Sequence, residues 1–401
     1  MTRPLQEKLR SIRSGSSNWP KVKFGDVVKN ANLVERDSES KGIERIVGLE
    51  HIDPDNLHIR RWNPVADGTS FTRKFVPGQT LFGKRRAYQR KVAYAEFEGI
   101  CSGDILTFEP KDRKVLLPDL LPFICQSDAF FDHALGTSAG SLSPRTSWKA
   151  LQDFEFPLPP LDEQKRIAEI LWAADEVASS YQKALSHIHI VSQIRLEHTL
   201  DTLKCPELSL PEVLSSSPDS GCSAPPSSYE TGHWVLSLAA LSANGYVRGN
   251  LKPVAKTNKM VGATIAKGDL LISRSNTVDL VGFAGIFDED RADVSFPDTM
   301  MRLPVDTQRA RPDYLELVLL SNRGRRHMMK TASGTSSSMK KINRKTLAEF
   351  RFPVPDLDTQ QRIVSEFKEQ KRHREAIANH ILKTQRMLSL FRNESIGAVR
   401  V

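Results

Sequence analysis

The sequence predicts an α+β protein built twice: two tandem mixed domains, each running into a long helix, with the two helices pairing as an antiparallel coiled coil. Three observations carry this. The phrase Phe156-Pro157-Leu158-Pro159-Pro160-Leu161-Asp162-Glu163-Gln164-Lys165-Arg166-Ile167 returns as Phe352-Pro353-Val354-Pro355-Asp356-Leu357-Asp358-Thr359-Gln360-Gln361-Arg362-Ile363. After each copy, apolar residues recur at helical spacing for many turns. Before each copy lie short β-rich runs separated by turn residues.

In chain order, residues 1–18 read as an N-terminal segment and 19–157 as the first domain. Trp19 marks its start, and Phe24-Gly25-Asp26-Val27-Val28 is strand-like. Val92-Ala93-Tyr94-Ala95 and Ile105-Leu106-Thr107-Phe108 read as strands, and Leu120 to Ala134 as helix. The prolines of the repeated phrase forbid helix there, so each copy is extended and hands over to a helix just beyond. The first long helix, in the segment 158–205, runs from Asp162 as its N-cap to about Leu203, with a stripe that includes Ile167, Ile170, Leu171, Val177, Tyr181, Ile188, Val191 and Ile194. At 1.5 Å per residue it is on the order of 60 Å long.

Residues 206–233, rich in Pro and Ser, read as a flexible linker. The second domain, 234–353, opens at Trp234 and Leu236-Ser237-Leu238; Asp269 to Ile272 and Gly282 to Phe287 read as strands and Tyr314 to Met329 as helix. The second helix, Asp358 to about Phe391 in the segment 354–401, carries Ile363, Val364, Phe367, Ile377, Ile381, Leu382, Leu388 and Phe391, and its stripe breaks between Gln370 and Arg374. Helices of this length have no core of their own, so their stripes pair with each other or pack on the domains. The repeat extends upstream: Gly78-Gln79-Thr80-Leu81 resembles Gly268-Asp269-Leu270-Leu271, Pro118-Asp119-Leu120 resembles Pro312-Asp313-Tyr314, and Gly136-Thr137-Ser138 aligns with Gly334-Thr335-Ser336 across a two-residue gap.

A chain of 401 residues suits two domains plus helices, and 39% hydrophobic with 26% charged residues lets each domain bury a core. The formal charge of +9 and pI near 9.3 favour a polyanionic partner. Cys101, Cys125, Cys205 and Cys222 form no CxxC pair, so no metal is expected, and no apolar run reaches the ~20 residues of a membrane span. A cytoplasmic location, with no membrane partner, is the expectation.

Enzymatic motifs fail one by one. Gly78 to Arg85 matches the start of a phosphate-cradling loop, but Arg85 stands where a magnesium-binding Ser or Thr is needed and no helix follows. No Asn/Asp-Pro-Pro-Tyr/Phe motif of an amino-methyltransferase occurs, and Asp104 is too close to Glu109-Pro110-Lys111 for a nuclease site. His187 and His189 lie on different faces of one helix. No catalytic residue is assigned.

Binding residues are clearer. Lys84, Arg85, Arg86, Tyr88, Gln89, Arg90 and Lys91 interleave cations with polar readers just after a strand, where they can neutralise phosphates or reach base edges. The second half has Arg274, Ser275 and Asn276 at the corresponding place. A small-polar turn precedes the closing phrase in each half: Thr137, Ser138, Ser141 and Arg145 in one, Thr335, Ser336, Lys340 and Lys341 in the other. Solvated loops carry the same letters, and recurrence in both halves favours contact with a sugar-phosphate backbone.

The run from Phe156 to Leu171 resembles the start of the central conserved helix in specificity (S) subunits of Type I restriction-modification systems. Leu81 to Lys91 and Gly99 to Ile105 are similar to segments of their target-recognition domains, and the resemblance covers nearly the whole chain. Asp356 and Thr359 depart from the usual wording of the phrase. The resemblance implies a non-catalytic subunit in which each target-recognition domain reads one half of a bipartite site in double-stranded DNA and the helices set the gap. It implies two methyltransferase (M) subunits and restriction/translocase (R) subunits as partners, with S-adenosylmethionine, ATP and Mg on those partners and no cofactor in this chain. The other reading is a stand-alone sequence-specific DNA-binding or coiled-coil scaffold protein.

Overall fold

The computed structural model describes residues 19–255, 257–334 and 339–396. The N-terminal segment 1–18 therefore lies outside the described residues, as do Thr335 and Ser336. The chain divides into two compact units, Met1–Gln182 with Asn379–Val401, and Lys183–Ala378.

In the first unit, one antiparallel sheet has the order Val28–Asn30, Ile105–Pro110, Thr80–Gly83, Val92–Tyr94. Its central strands are buried on both faces, which is why Ile105 to Phe108 reads as an unbroken β-rich run. Phe24, Phe82, Phe108 and Phe130 cover one face, with ring centroids 4.9 to 5.9 Å apart. A second sheet, Leu33–Val34, Arg73–Phe75, Gly99–Cys101, Arg45–Val47, Asn63–Pro64, contains one parallel pair. The expected helix from Leu120 to Ala134 is two helices, Leu121–Cys125 and Asp128–Gly136, broken where Ser127 caps the second.

The second unit repeats the central sheet in the same order: Asp219–Ser220, Met300–Leu303, Leu270–Ser273, Ala284–Ile286. Its helices, Pro312–Leu320 and Asn322–Thr331, likewise break at a capping serine, Ser321.

This correspondence corrects where the second half begins. In the first half, Lys21–Lys23 pairs with Glu155–Pro157 and Leu158 N–H donates to Pro20 O at 2.9 Å. In the second, Glu207–Ser209 pairs with Arg351–Pro353 and Val354 N–H donates to Pro206 O at 3.0 Å. The counterpart of Trp19-Pro20 is thus Cys205-Pro206, not Trp234. Residues 206–233, expected as a linker, supply edge strands instead: Glu207–Ser209 closes the domain and Asp219–Ser220 joins the central sheet. Strands of two or three residues at a sheet edge tolerate flanking proline and show no alternation, so they look like loop in the letters. Phe24–Val27, expected as strand, is a helical turn, and its counterpart Leu210–Val213 is a 3-10 turn.

The long helices run Leu161–Thr202 and Leu357–Ser395, so each begins one residue before the expected start and the second runs a turn beyond Phe391. Asp162 is already inside the first turn. In the second copy the capping is done by Asp356, whose carboxylate accepts from Thr359 N–H at 2.8 Å and Thr359 Oγ1 at 3.0 Å. The two departures from the repeated phrase therefore bond to each other as one cap.

Each helix is anchored by one buried glutamine. Gln164 is 1% exposed; its amide donates to Val115 O and Pro159 O at 2.8 and 2.9 Å and its oxygen accepts from Leu117 N–H at 2.9 Å. Gln360, 0% exposed, repeats the set with Arg309 O, Pro355 O and Arg311 N–H at 3.1, 2.8 and 2.8 Å. Stacked Phe154–Phe156 and Phe350–Phe352 rings pack beside each closing strand.

Within the second unit the two long helices touch through Arg195–Glu366, Ser192–Gln370 and His189–Arg374, so residue numbers rise along one as they fall along the other. The break in the stripe between Gln370 and Arg374 is this polar seam. His189 accepts from Arg374 at 2.7 Å, and burial followed by the neighbouring guanidinium lowers its pKa. In the first unit, Leu388, Phe391 and Ile396 join the core that holds Ile167 and Leu171. Arg392, 8% exposed, donates to Gln126 Oε1 at 2.9 Å, and burial lowers its pKa to about 10.

His58 ties a domain loop to the first long helix. Its Nδ1 lies 2.7 Å from Glu96, and its Nε2 lies 2.8 Å from Asp175 in an ion-pair contact. Asp175 first, then Glu96, raise its pKa above the ordinary 6.5, with burial opposing.

Two outcomes follow from these anchors. Gln164→Ala or Gln360→Ala, each leaving one N–H and two carbonyls unpaired, lowers stability by about 2–4 kcal/mol in denaturant titration; a loss below about 0.5 kcal/mol would show that the anchor is dispensable. Because His58 has a raised folded-state pKa, its contribution is complete below about pH 6.5 and is lost as pH rises through the folded value. The stability difference between the natural chain and His58→Gln therefore shrinks with rising pH, as thermal melts across that range report.

Candidate nucleic-acid interface

The two candidate segments of the first half, distant in sequence, form one antiparallel ribbon. Arg85 bridges Arg145, Arg86 N–H donates to Pro144 O at 2.7 Å, and Thr146 N–H donates to Lys84 O at 3.1 Å. Ala139 and Arg145 exchange backbone bonds of 3.0 and 2.9 Å, folding 139–145 into a hairpin loop.

The second half builds the same ladder. Ser275–Asn276 pairs with Lys340–Lys341, Ile342 N–H donates to Arg274 O at 3.0 Å, and Ser333 and Lys341 exchange bonds of 2.9 and 2.8 Å. Lys84, Arg85 and Arg145 thus correspond to Arg274, Ser275 and Lys341. The register of the preceding turn is corrected by the same bonds. Thr137 Oγ1 donates to His133 O at 2.8 Å as Thr331 Oγ1 does to His327 O, so Thr137 matches Thr331 and not Thr335.

Asp104 organises the cations of the first ribbon. It meets Arg145 at 3.0 and 3.3 Å and Arg85 at 3.7 Å. Burial works to raise its pKa, but Arg145, Lys84 and Arg85 outweigh it and hold it below the ordinary carboxylate range. Burial, and then the charge of Arg73, lower the Lys84 pKa. Arg85 and Arg86 both donate to Ser143 Oγ at 3.2 Å. Arg86 sits at φ 54° in the left-handed region, which turns the chain into the short Ala87–Gln89 helix that presents Tyr88 to solvent.

Other candidates are engaged inside the fold. Arg90 donates to Asp55, Asp128 and Gln126 O and lies 4.4 Å over the Phe131 ring. Lys91 Nζ donates to Leu49 O at 2.5 Å, and the Thr137 and Ser138 hydroxyls bond to carbonyls of their own helix. Gln89 is half-buried beside Arg90, while Ser141 is exposed. In the second half Ser275 is buried, Asn276 is half-buried and accepts from Thr277 N–H, and Lys340 Nζ reaches Gly334 O at 2.7 Å. Arg274 opens onto a surface pocket with Ser220, Asn343, Arg344 and Lys345. Arg344 and Lys345 went unnoticed in the sequence although they continue the run begun by Lys340 and Lys341. Asp104 is weighed in the sequence only against a nuclease site, and Leu142 is passed over within its turn, since neither is basic.

Among the described residues, no three His, Cys, Asp or Glu side chains converge as metal ligands, and no helix is long and apolar enough to cross a membrane. The arrangement is a cationic ribbon with polar edges, suited to binding a polyanion.

Comparison with known proteins gives this ribbon a family. The profile of the Type I restriction modification DNA specificity domain matches residues 17–186 and 246–384. The Type I restriction enzyme EcoDI specificity subunit of Escherichia coli is 27% identical over 202 residues, 47% of this chain and 43% of the relative, so the match spans less than half of that protein. The fold is shared with a chain from a structure of complex assembly in the type I R-M system (TM-score 0.55, 19% identity, 94% of this chain and 97% of the other). It is shared too with the Type I restriction-modification S subunit from M. genitalium (TM-score 0.53, 12% identity, 94% and 96% covered). The chain belongs to the Type I restriction-modification DNA specificity family.

Proposed function

We propose that this chain is the non-catalytic specificity subunit of a Type I restriction-modification complex, each half reading one half of a bipartite duplex site. One observation carries this reading: the same hydrogen-bonded ribbon, Lys84 to Arg86 against Pro144 to Thr146 and Arg274 to Asn276 against Lys340 to Ile342, recurs in both halves with different side chains. Backbone bonds hold the frame whatever the side chains are, so two halves can read two sequences. Members of this family are DNA-recognition subunits, with catalysis in other subunits.

In this reading the two long helices pair as an antiparallel coiled coil and set the gap between half-sites. Val177, Val191, Ile194 and Leu382 stand 48 to 63% exposed on them, which supports docking of two methyltransferase subunits there. Restriction/translocase subunits join in the full complex; S-adenosylmethionine, ATP and Mg belong to the partners, and the assembly works in the cytoplasm.

Co-expression with its methyltransferase subunit and methylome sequencing tests the proposal. The pair methylates adenine at one bipartite motif, and neither chain does so alone; an unchanged methylome without this chain would contradict it. Arg85→Ala or Arg86→Ala then weakens binding by ~1 to 3 kcal/mol, and if either reads a base the loss falls on one half-site. A loss independent of sequence makes them phosphate contacts.

A further inference from the structure

We propose that Leu142 is a wedge that enters between stacked base pairs of the target duplex, an inference that rests on the DNA-reading role proposed above. Leu142 is 89% exposed at the tip of the 139–145 hairpin loop. Single exposed leucines are ordinary on a surface, but this one is held on both sides. Before it, Ala139 and Arg145 exchange two backbone bonds, and Gly140 turns the chain at φ 109°. After it, Ser143 Oγ accepts from both Arg85 and Arg86 at 3.2 Å, and Pro144 O accepts from Arg86 N–H at 2.7 Å. The loop that carries Leu142 is therefore fixed to the ribbon of Lys84, Arg85, Arg86 and Arg145.

The chemistry of that ribbon selects the occupant. Its cations neutralise phosphates, which brings the loop tip to a groove. An isobutyl side chain gains nothing from phosphate or water, whereas the gap between two base pairs is an apolar slot within reach of the same phosphates. Burying the side chain there offsets part of the unstacking. The step that opens most readily, a pyrimidine–purine step, is favoured at that position even though no base edge is hydrogen-bonded there.

The test uses the full chain in complex with its methyltransferase subunits and cognate duplexes carrying 2-aminopurine at each purine of the first-domain half-site in turn, the methylated adenine excepted. The natural complex raises fluorescence at one step. Leu142→Ser removes that rise and weakens cognate binding about tenfold, with the salt dependence unchanged because no charge is removed; Leu142→Met restores both. The proposal is overturned if the natural complex binds its cognate duplex specifically with no fluorescence rise, or if Leu142→Ser keeps the rise. It is also overturned if Leu142→Ser leaves the duplex signal intact and sheds methyltransferase subunits, which assigns Leu142 to a protein contact. Failure of the natural complex to prefer cognate over random duplex overturns both this inference and the specificity reading beneath it.

Discussion

A primary amide buried without partners is among the more destabilising things a fold can contain, and this chain buries one at the start of each long helix. Gln164 and Gln360 are held by matching sets of one N–H and two carbonyls. Those backbone groups lie partly in the domain and partly in the Pro-rich phrase, so satisfying the glutamine fixes the helix's first turn against the domain. The phrase is extended because of its prolines, paired because Phe156 and Phe352 face Val22 and Leu208 across two-strand ribbons, and ended by the glutamine. Loss of that fit would free the helix from the domain that it carries.

The anchors and the cationic ribbons differ in what the two halves keep. Around each glutamine the two halves keep the same partners, and where the phrase does drift, Asp356 and Thr359 change together and make a side-chain cap. In the ribbons the backbone bonds are kept and the side chains are not: Arg85 corresponds to a buried Ser275, and Arg145 to Lys341. A frame made of main-chain bonds is indifferent to side chains, so the side chains on it can change without refolding.

Much of this was legible in the letters, and the failures have physical causes. The doubled phrase, the paired strands around Gly78 and Gly268, and the long helical stripes all follow from period and punctuation. Residues 206–233 did not, because edge strands of two or three residues carry no alternation and look like linker. The turn register slipped by four residues, since the repeated Gly-Thr-Ser letters outweighed a helix end that only Thr137 and Thr331 reveal. Arg90 and Lys91 read as surface cations but face Asp55, Asp128 and Leu49 O, partners too distant in sequence to anticipate. The polar break at Gln370 to Arg374 looked like a fading stripe until Ser192 and His189 supplied its other side.

The proposed function has at its centre two glutamine-anchored helices that would act as a ruler between two readers. Inserting four helix-forming residues into each long helix, after Gln182 and after Ala378, adds one turn of ~6 Å to both, which corresponds to about two base pairs. Methylome sequencing with the methyltransferase subunit present measures the result directly. The account predicts both half-sites unchanged and the gap between them about two base pairs longer. An unchanged gap in a fully active complex, or a changed half-site, would contradict it.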